Sequence, residues 1–152
     1  MRTGTFWIGL SLLVAMSVQA DTATQAVDDW YLKQYTPLWK ENAWDKLEEA
    51  TVYYDETLYL HPPDGPITPV DSREWLAKSL EGWKSDGWLG SDVAEYRSEQ
   101  LNPTTVAFKA KWRDWYADGS EDFSCGWYVA DLKGDRWVFT QYGEIDCAEH
   151  DL

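Results

Sequence analysis

The stretch that most constrains this chain is Tyr53-Tyr54-Asp55-Glu56-Thr57-Leu58-Tyr59-Leu60-His61-Pro62-Pro63-Asp64-Gly65. Its first half is rich in aromatic and β-branched residues and reads as a strand. Two prolines then stop it, because neither can donate to a sheet ladder. Asp71 follows, with Glu74 three residues on, which resembles a capping box opening a helix. A strand of this kind often delivers one polar side chain to a pocket that the next helix helps to close. Here that side chain is His61.

The chain around it sorts into helices first and strands last. Val27, Trp30, Tyr31, Tyr35 and Leu38 recur at helical spacing, with Pro37 expected to kink or end the helix and Asn42 to cap it. A short helix is expected over residues 44–50, with Trp44 inward, and the strand at the end of residues 51–60. Pro62, Pro63, Gly65 and Pro66 read as loop. Trp75, Leu76, Leu80 and Trp83 mark a helix stripe, punctuated by Gly87 and Gly90. Strands are then expected over residues 93–100, 104–116 and 137–145. In the second, Val106, Phe108, Ala110 and Trp112 alternate with Lys109, Lys111 and Arg113, so one face is wet. Phe123, Cys125, Trp127 and Val129 form the next apolar row. Helices followed by a long meander argue an α+β domain with helices on one face of a sheet.

The first 20 residues are set apart from this pattern. Arg2, an apolar run over residues 6–16 and the small-residue site Ser17-Val18-Gln19-Ala20 have the order of a secretory signal. Residues 1–20 are therefore expected to be cleaved, leaving residues 21–152 as one domain in the periplasm or outside the cell. The apolar run is shorter than the roughly 20 residues of a membrane span, so no membrane anchoring is expected after cleavage. The formal net charge of −14 repels phosphate backbones and makes nucleic acid a poor partner. Cys125 and Cys147 are the only cysteines, and an oxidising compartment favours a disulfide over two free thiols. Neither their spacing nor a glycine-rich loop suggests a metal or phosphate cofactor.

The order of these pieces resembles the NTF2-like superfamily, within it the SnoaL-like and ketosteroid-isomerase-like branch. The residues that carry the resemblance are Trp44-Asp45-Lys46-Leu47, Tyr54-Asp55-Glu56-Thr57, Leu60-His61-Pro62, Ser72-Arg73-Glu74-Trp75 and Gly134-Asp135-Arg136-Trp137. The resemblance implies a cone of curved antiparallel sheet whose wide end is closed by helices around an apolar pocket. It also implies catalytic positions. His61 stands where the branch places a carboxylate base, and Tyr35 where it places a tyrosine on the first helix to hold an enolate oxygen. The branch's second acid donor falls near Ser124 and Cys125, which are not acids.

These expectations leave several functions open. The first is a binder of a small apolar or aromatic molecule, with Trp39, Trp112 and Trp127 lining the pocket and cofactor-free proton transfer as its chemistry if it is an enzyme. The second is a non-catalytic module that forms a homodimer through its sheet face. The third is a carbohydrate-binding domain, suggested by export and by the 11 tryptophans. At periodic spacing, tryptophans more often fill a core. Asp114 and Asp118 are candidate acid/base groups whose ordinary role would be in a turn.

Overall fold

The computed structural model describes residues 23–40 and 46–148. Residues 1–20, expected to be a cleaved signal, lie outside them, as do Asn42 and Trp44. Residues 23–39 form one helical stretch, α1, followed by α2 (Leu47–Thr51), β1 (Tyr54–His61), β2 (Thr68–Asp71) and α3 (Ser72–Ser85). Four long strands complete the chain: β3 (Trp88–Asn102), β4 (Thr105–Tyr116), β5 (Glu121–Lys133) and β6 (Arg136–Ile145). They make one six-stranded sheet in the order β2-β1-β6-β5-β4-β3. Only the β1–β6 pairing is parallel, so the sheet is mixed rather than wholly antiparallel. The α+β class and the packing of helices on a curved sheet hold.

The first helix does not end at Pro37. Its backbone widens to a π turn over Tyr31–Tyr35 and tightens to a 3-10 turn over Thr36–Trp39. Proline sits near the start of the 3-10 turn, where its missing N–H costs little. Val27, Tyr31, Tyr35 and Trp39 are all buried at four-residue intervals. Four residues overshoot an α turn of about 3.6, so a strict four-residue repeat would drift round the helix. One wider turn takes that drift back and keeps the aromatic row on the sheet.

Bulges bend the sheet around this row. Register shifts interrupt β3–β4 at Trp88/Gly90, Val93/Glu95 and Gln100/Asn102, and β5–β6 at Val129/Ala130. Each adds local twist and bend. The concave face buries Val106, Phe108, Ala110 and Trp112 of β4 with Ala130 and Phe139. Tyr31 sits at the centre, with ring centroids 4.6 Å from Phe108 and 5.0 Å from Tyr96.

Several local expectations need correction. β3 begins at Trp88, so Gly90 lies inside a strand. A Cβ there would meet Lys40 O at 2.7 Å and Trp39 O at 2.9 Å, so glycine lets the end of α1 lie directly on β3. The loop after the prolines contains β2, which pairs antiparallel with β1 through Thr57↔Asp71 to Leu60↔Thr68. Its Pro69 is tolerated because β2 is an edge strand. Half of the capping box forms: Asp71 Oδ1 accepts from Glu74 N at 2.8 Å, while the Glu74 carboxylate turns to Lys78. In β5 the inward row is Ser124, Gly126, Tyr128 and Ala130, opposite Trp112, Ala110, Phe108 and Val106. Phe123, Cys125, Trp127 and Val129 therefore take the alternate positions, and Phe123 is 49% exposed.

Candidate functional site

A cavity of about 470 Å³ lies between the concave sheet face and the helices. Tyr35 and Trp39 of α1 and Tyr54 of β1 form one part of its wall, and Trp75 and Trp83 of α3 another. The strands contribute Trp88, Trp112, Tyr116, Phe123, Tyr128 and Tyr142, so eleven aromatic residues line it, with the Phe123 ring itself turned to the outer side. Gly126 keeps room for two of them, since a Cβ there would stand 3.0 Å from Tyr142 Cε2 and 3.1 Å from Tyr128 OH.

Two polar groupings stand in this aromatic wall. The Tyr35 and Tyr54 hydroxyls are 2.5 Å apart and buried. One donates to the other, which leaves one hydroxyl hydrogen for a ligand acceptor. Burial holds both phenols above the ordinary tyrosine range, so both remain protonated near neutral pH. The second grouping centres on Asp114, only 8% exposed. Ser124 Oγ donates to its Oδ2 at 2.7 Å, Ser91 Oγ donates to Oδ1, and Trp88 Nε1 donates to Ser91 Oγ at 2.8 Å. Across the same wall, Trp112 Nε1 donates to Tyr128 OH at 3.3 Å.

Of the residues singled out from the sequence, Tyr35, Trp39 and Trp112 line this cavity, and His61 and Trp127 do not. Leu58 is fully buried and Leu60 packs against the core, so strand alternation turns His61 to the other face. There its Nε2–H donates to Gln141 Oε1 at 2.9 Å, and its ring stands edge-on to Trp127 at 4.7 Å. The Trp127 indole lies across Gly143, where a Cβ would come within 2.2 Å of Nε1. His61 touches only a smaller cleft of about 150 Å³ at the end of β1, which shares Trp75, Tyr142 and Glu144 with the large cavity.

Asp114 is the group that sequence reading undervalued. It continues the inward row Val106, Phe108, Ala110, Trp112 by one more period of two, which was the available signal. It reaches the neighbourhood of Ser124, where the resemblance places an acid, from the adjacent strand. Asp118 does hold a turn, accepting from Ser120 N at 2.9 Å. The Cys125 and Cys147 sulfurs are bonded, with Cα atoms 5.3 Å apart, and pin the segment after β6 at the cavity edge. Among the described residues no group of His, Cys, Asp and Glu could hold a metal, and no helix is long and apolar enough to cross a membrane.

No family model and no curated protein matches the chain. Solved structures do. An NTF2-like protein with a cystatin-like fold from Novosphingobium aromaticivorans superposes at TM-score 0.59 with 11% identity, covering 91% of this chain and 90% of that one. An NTF2-like protein from Anabaena variabilis gives 0.52 with 13% identity, over 95% and 94%. A domain with a cystatin-like fold from Nostoc punctiforme gives 0.57 with 15% identity, over 84% and 82%. At such identities the likeness concerns the fold, and the fold of this chain is NTF2-like. Fold of this kind does not fix activity.

Proposed function

We propose that this chain is an exported protein that binds a small molecule in its aromatic cavity. The observation that carries the reading is the cavity itself: about 470 Å³, lined by eleven aromatic residues with a few fixed polar groups. That volume and lining suit a small organic ligand. Export rests on the N-terminal pattern of the sequence and on the Cys125–Cys147 bond, which persists in oxidising compartments.

Within this reading, proton-transfer chemistry would draw on groups that face the cavity. The Tyr35–Tyr54 pair can donate to a developing oxyanion, and Asp114 is a buried carboxylate in the same cavity wall. His61 is a side chain of the outer face and has no part in it. The sheet-face dimer and the sugar platform have less support. The outer face is occupied by paired charges such as Lys111–Glu95 and Arg113–Asp92. Trp88, Trp112 and Trp137 are buried rather than displayed.

The test is native mass spectrometry of protein recovered from the periplasm of its own host. A bound small molecule, lost on Trp112→Ala, is the expected result, together with a mature N-terminus at Asp21. A ligand-free protein, whose tryptophan fluorescence answers to no member of an aromatic small-molecule panel, would refute the reading.

A further inference from the structure

We infer that the occupant of the cavity is a small organic cation, an ammonium or a positively charged aromatic ring that carries no anionic group. This rests on reading the cavity as a ligand site. Three carboxylates line it, those of Asp114, Glu144 and Asp146, and among the described lining residues there is no lysine, arginine or histidine. Asp114 is the decisive one. It is 8% exposed, its partners are two neutral hydroxyls, and among the described residues it takes part in no ion pair. A buried carboxylate whose donors are all neutral has no counter-charge beside it, and buried carboxylates are ordinarily paired with a cation.

The aromatic wall points the same way. Ring faces carry negative potential and attract cations that sit over them. The cavity phenols register the carboxylates too. Tyr116, Tyr128 and Tyr142 lie above the ordinary range, first through burial and further through Asp114 beside Tyr116 and Tyr128 and Glu144 beside Tyr128 and Tyr142. The basic residues of β4 beside this wall are already engaged on its outer side: Lys111 lies 3.2 Å from Glu95 and 4.9 Å from the Phe123 ring centroid, and Arg113 lies 2.9 Å from Asp92. A phosphate or carboxylate on the ligand would meet like charge, with no basic group among the described lining residues to receive it. Free cations are favoured over zwitterions and lipid headgroups on that ground. The formal net charge of −14 draws cations toward the molecule as well.

An isosteric pair of probes separates charge from shape: 4-hydroxyphenyltrimethylammonium and 4-tert-butylphenol, titrated calorimetrically into the oxidised protein. The cation should bind about 10-fold or more tightly than its neutral twin. Asp114→Asn should remove about 10-fold of the cation's affinity and leave the neutral probe within about 2-fold. If that variant does not fold, Glu144→Gln at the exposed rim should still weaken the cation alone, by about 3-fold. Phosphocholine should bind more weakly than choline. Equal or tighter binding of 4-tert-butylphenol overturns the inference while the cavity reading stands, as does an equal effect of either variant on both probes. If neither probe binds, the cavity reading itself fails and the inference falls with it.

Discussion

Replacing Tyr54 by phenylalanine tests whether the Tyr35–Tyr54 hydroxyl pair is an energetic unit. The two oxygens are 2.5 Å apart, with Tyr35 4% and Tyr54 7% exposed. Both rings pack on Phe139, at 4.7 and 5.0 Å between centroids, so neither should move when an oxygen is removed. Tyr54→Phe leaves the Tyr35 hydroxyl buried without its partner. An unsatisfied buried donor costs about 1–3 kcal/mol, and the lower end applies if cavity water reaches it. Tyr35→Phe should cost a similar amount. The double variant has no orphaned hydroxyl left, so it should be no less stable than either single one, giving a coupling of at least about 1 kcal/mol. Urea unfolding at neutral pH with the disulfide intact, followed by tryptophan fluorescence, reads all four proteins. Additive costs, with the double variant equal to the two singles together within about 0.3 kcal/mol, would show that the pair is only a contact between two rings' edges.

Other perturbations give equally definite outcomes. Phe139→Ala, at a fully buried site amid the aromatic core, should cost about 3–5 kcal/mol in the same unfolding assay. Loss of the Cys125–Cys147 bond, which closes a sequence separation of 22, should cost about 3 kcal/mol, seen as a lower urea midpoint with reductant. His61→Ala should leave cavity ligand affinity within about 2-fold, since its contacts are Gln141 and Trp127 on the other face. Burial raises the phenols of Tyr31, Tyr35, Tyr54 and Tyr128, so the native state holds their protons after the unfolded chain has released them. The stability they contribute is complete below about pH 10 and is lost as pH rises above it, by about 1.4 kcal/mol per pH unit for each such tyrosine. Urea midpoints measured from pH 8 to 11 should fall steeply only above about pH 10, and a flat profile would contradict the burial of these hydroxyls.

Much of the architecture was legible because periodicity reports burial. The helical row Val27, Trp30, Tyr31 and Tyr35 and the alternation from Val106 to Trp112 each lie on a buried face, whereas Leu38, expected to continue the first row, is only half-buried and Trp39 takes the inward place. The same rule, applied one step further, would have turned Asp114 inward and His61 outward. At His61 the two prolines mark where the strand ends, but Leu58 and Leu60 set which face each side chain takes. β5 was misread for a different reason. Phe123, Cys125, Trp127 and Val129 are the more apolar row, yet the inward row has the smaller Ser124 and Gly126, which leave the cavity open. Apolarity marks the core face only where the face is filled.

The sequence by itself determined the class of fold, the inward aromatic rows of α1 and β4, and a cysteine pair fit for bonding. These depend on local periods and residue chemistry, which the chain carries at every position. Tertiary structure alone decided which polar groups share the cavity. Asp114, Ser91 and Ser124 come from three adjacent strands, and Tyr35 meets Tyr54 across 19 residues of chain. Their meeting depends on strand order, bulges and the register between strands, and no local pattern encodes any of these. The same register also brought Trp127 across Gly143 to meet His61 on the outer face.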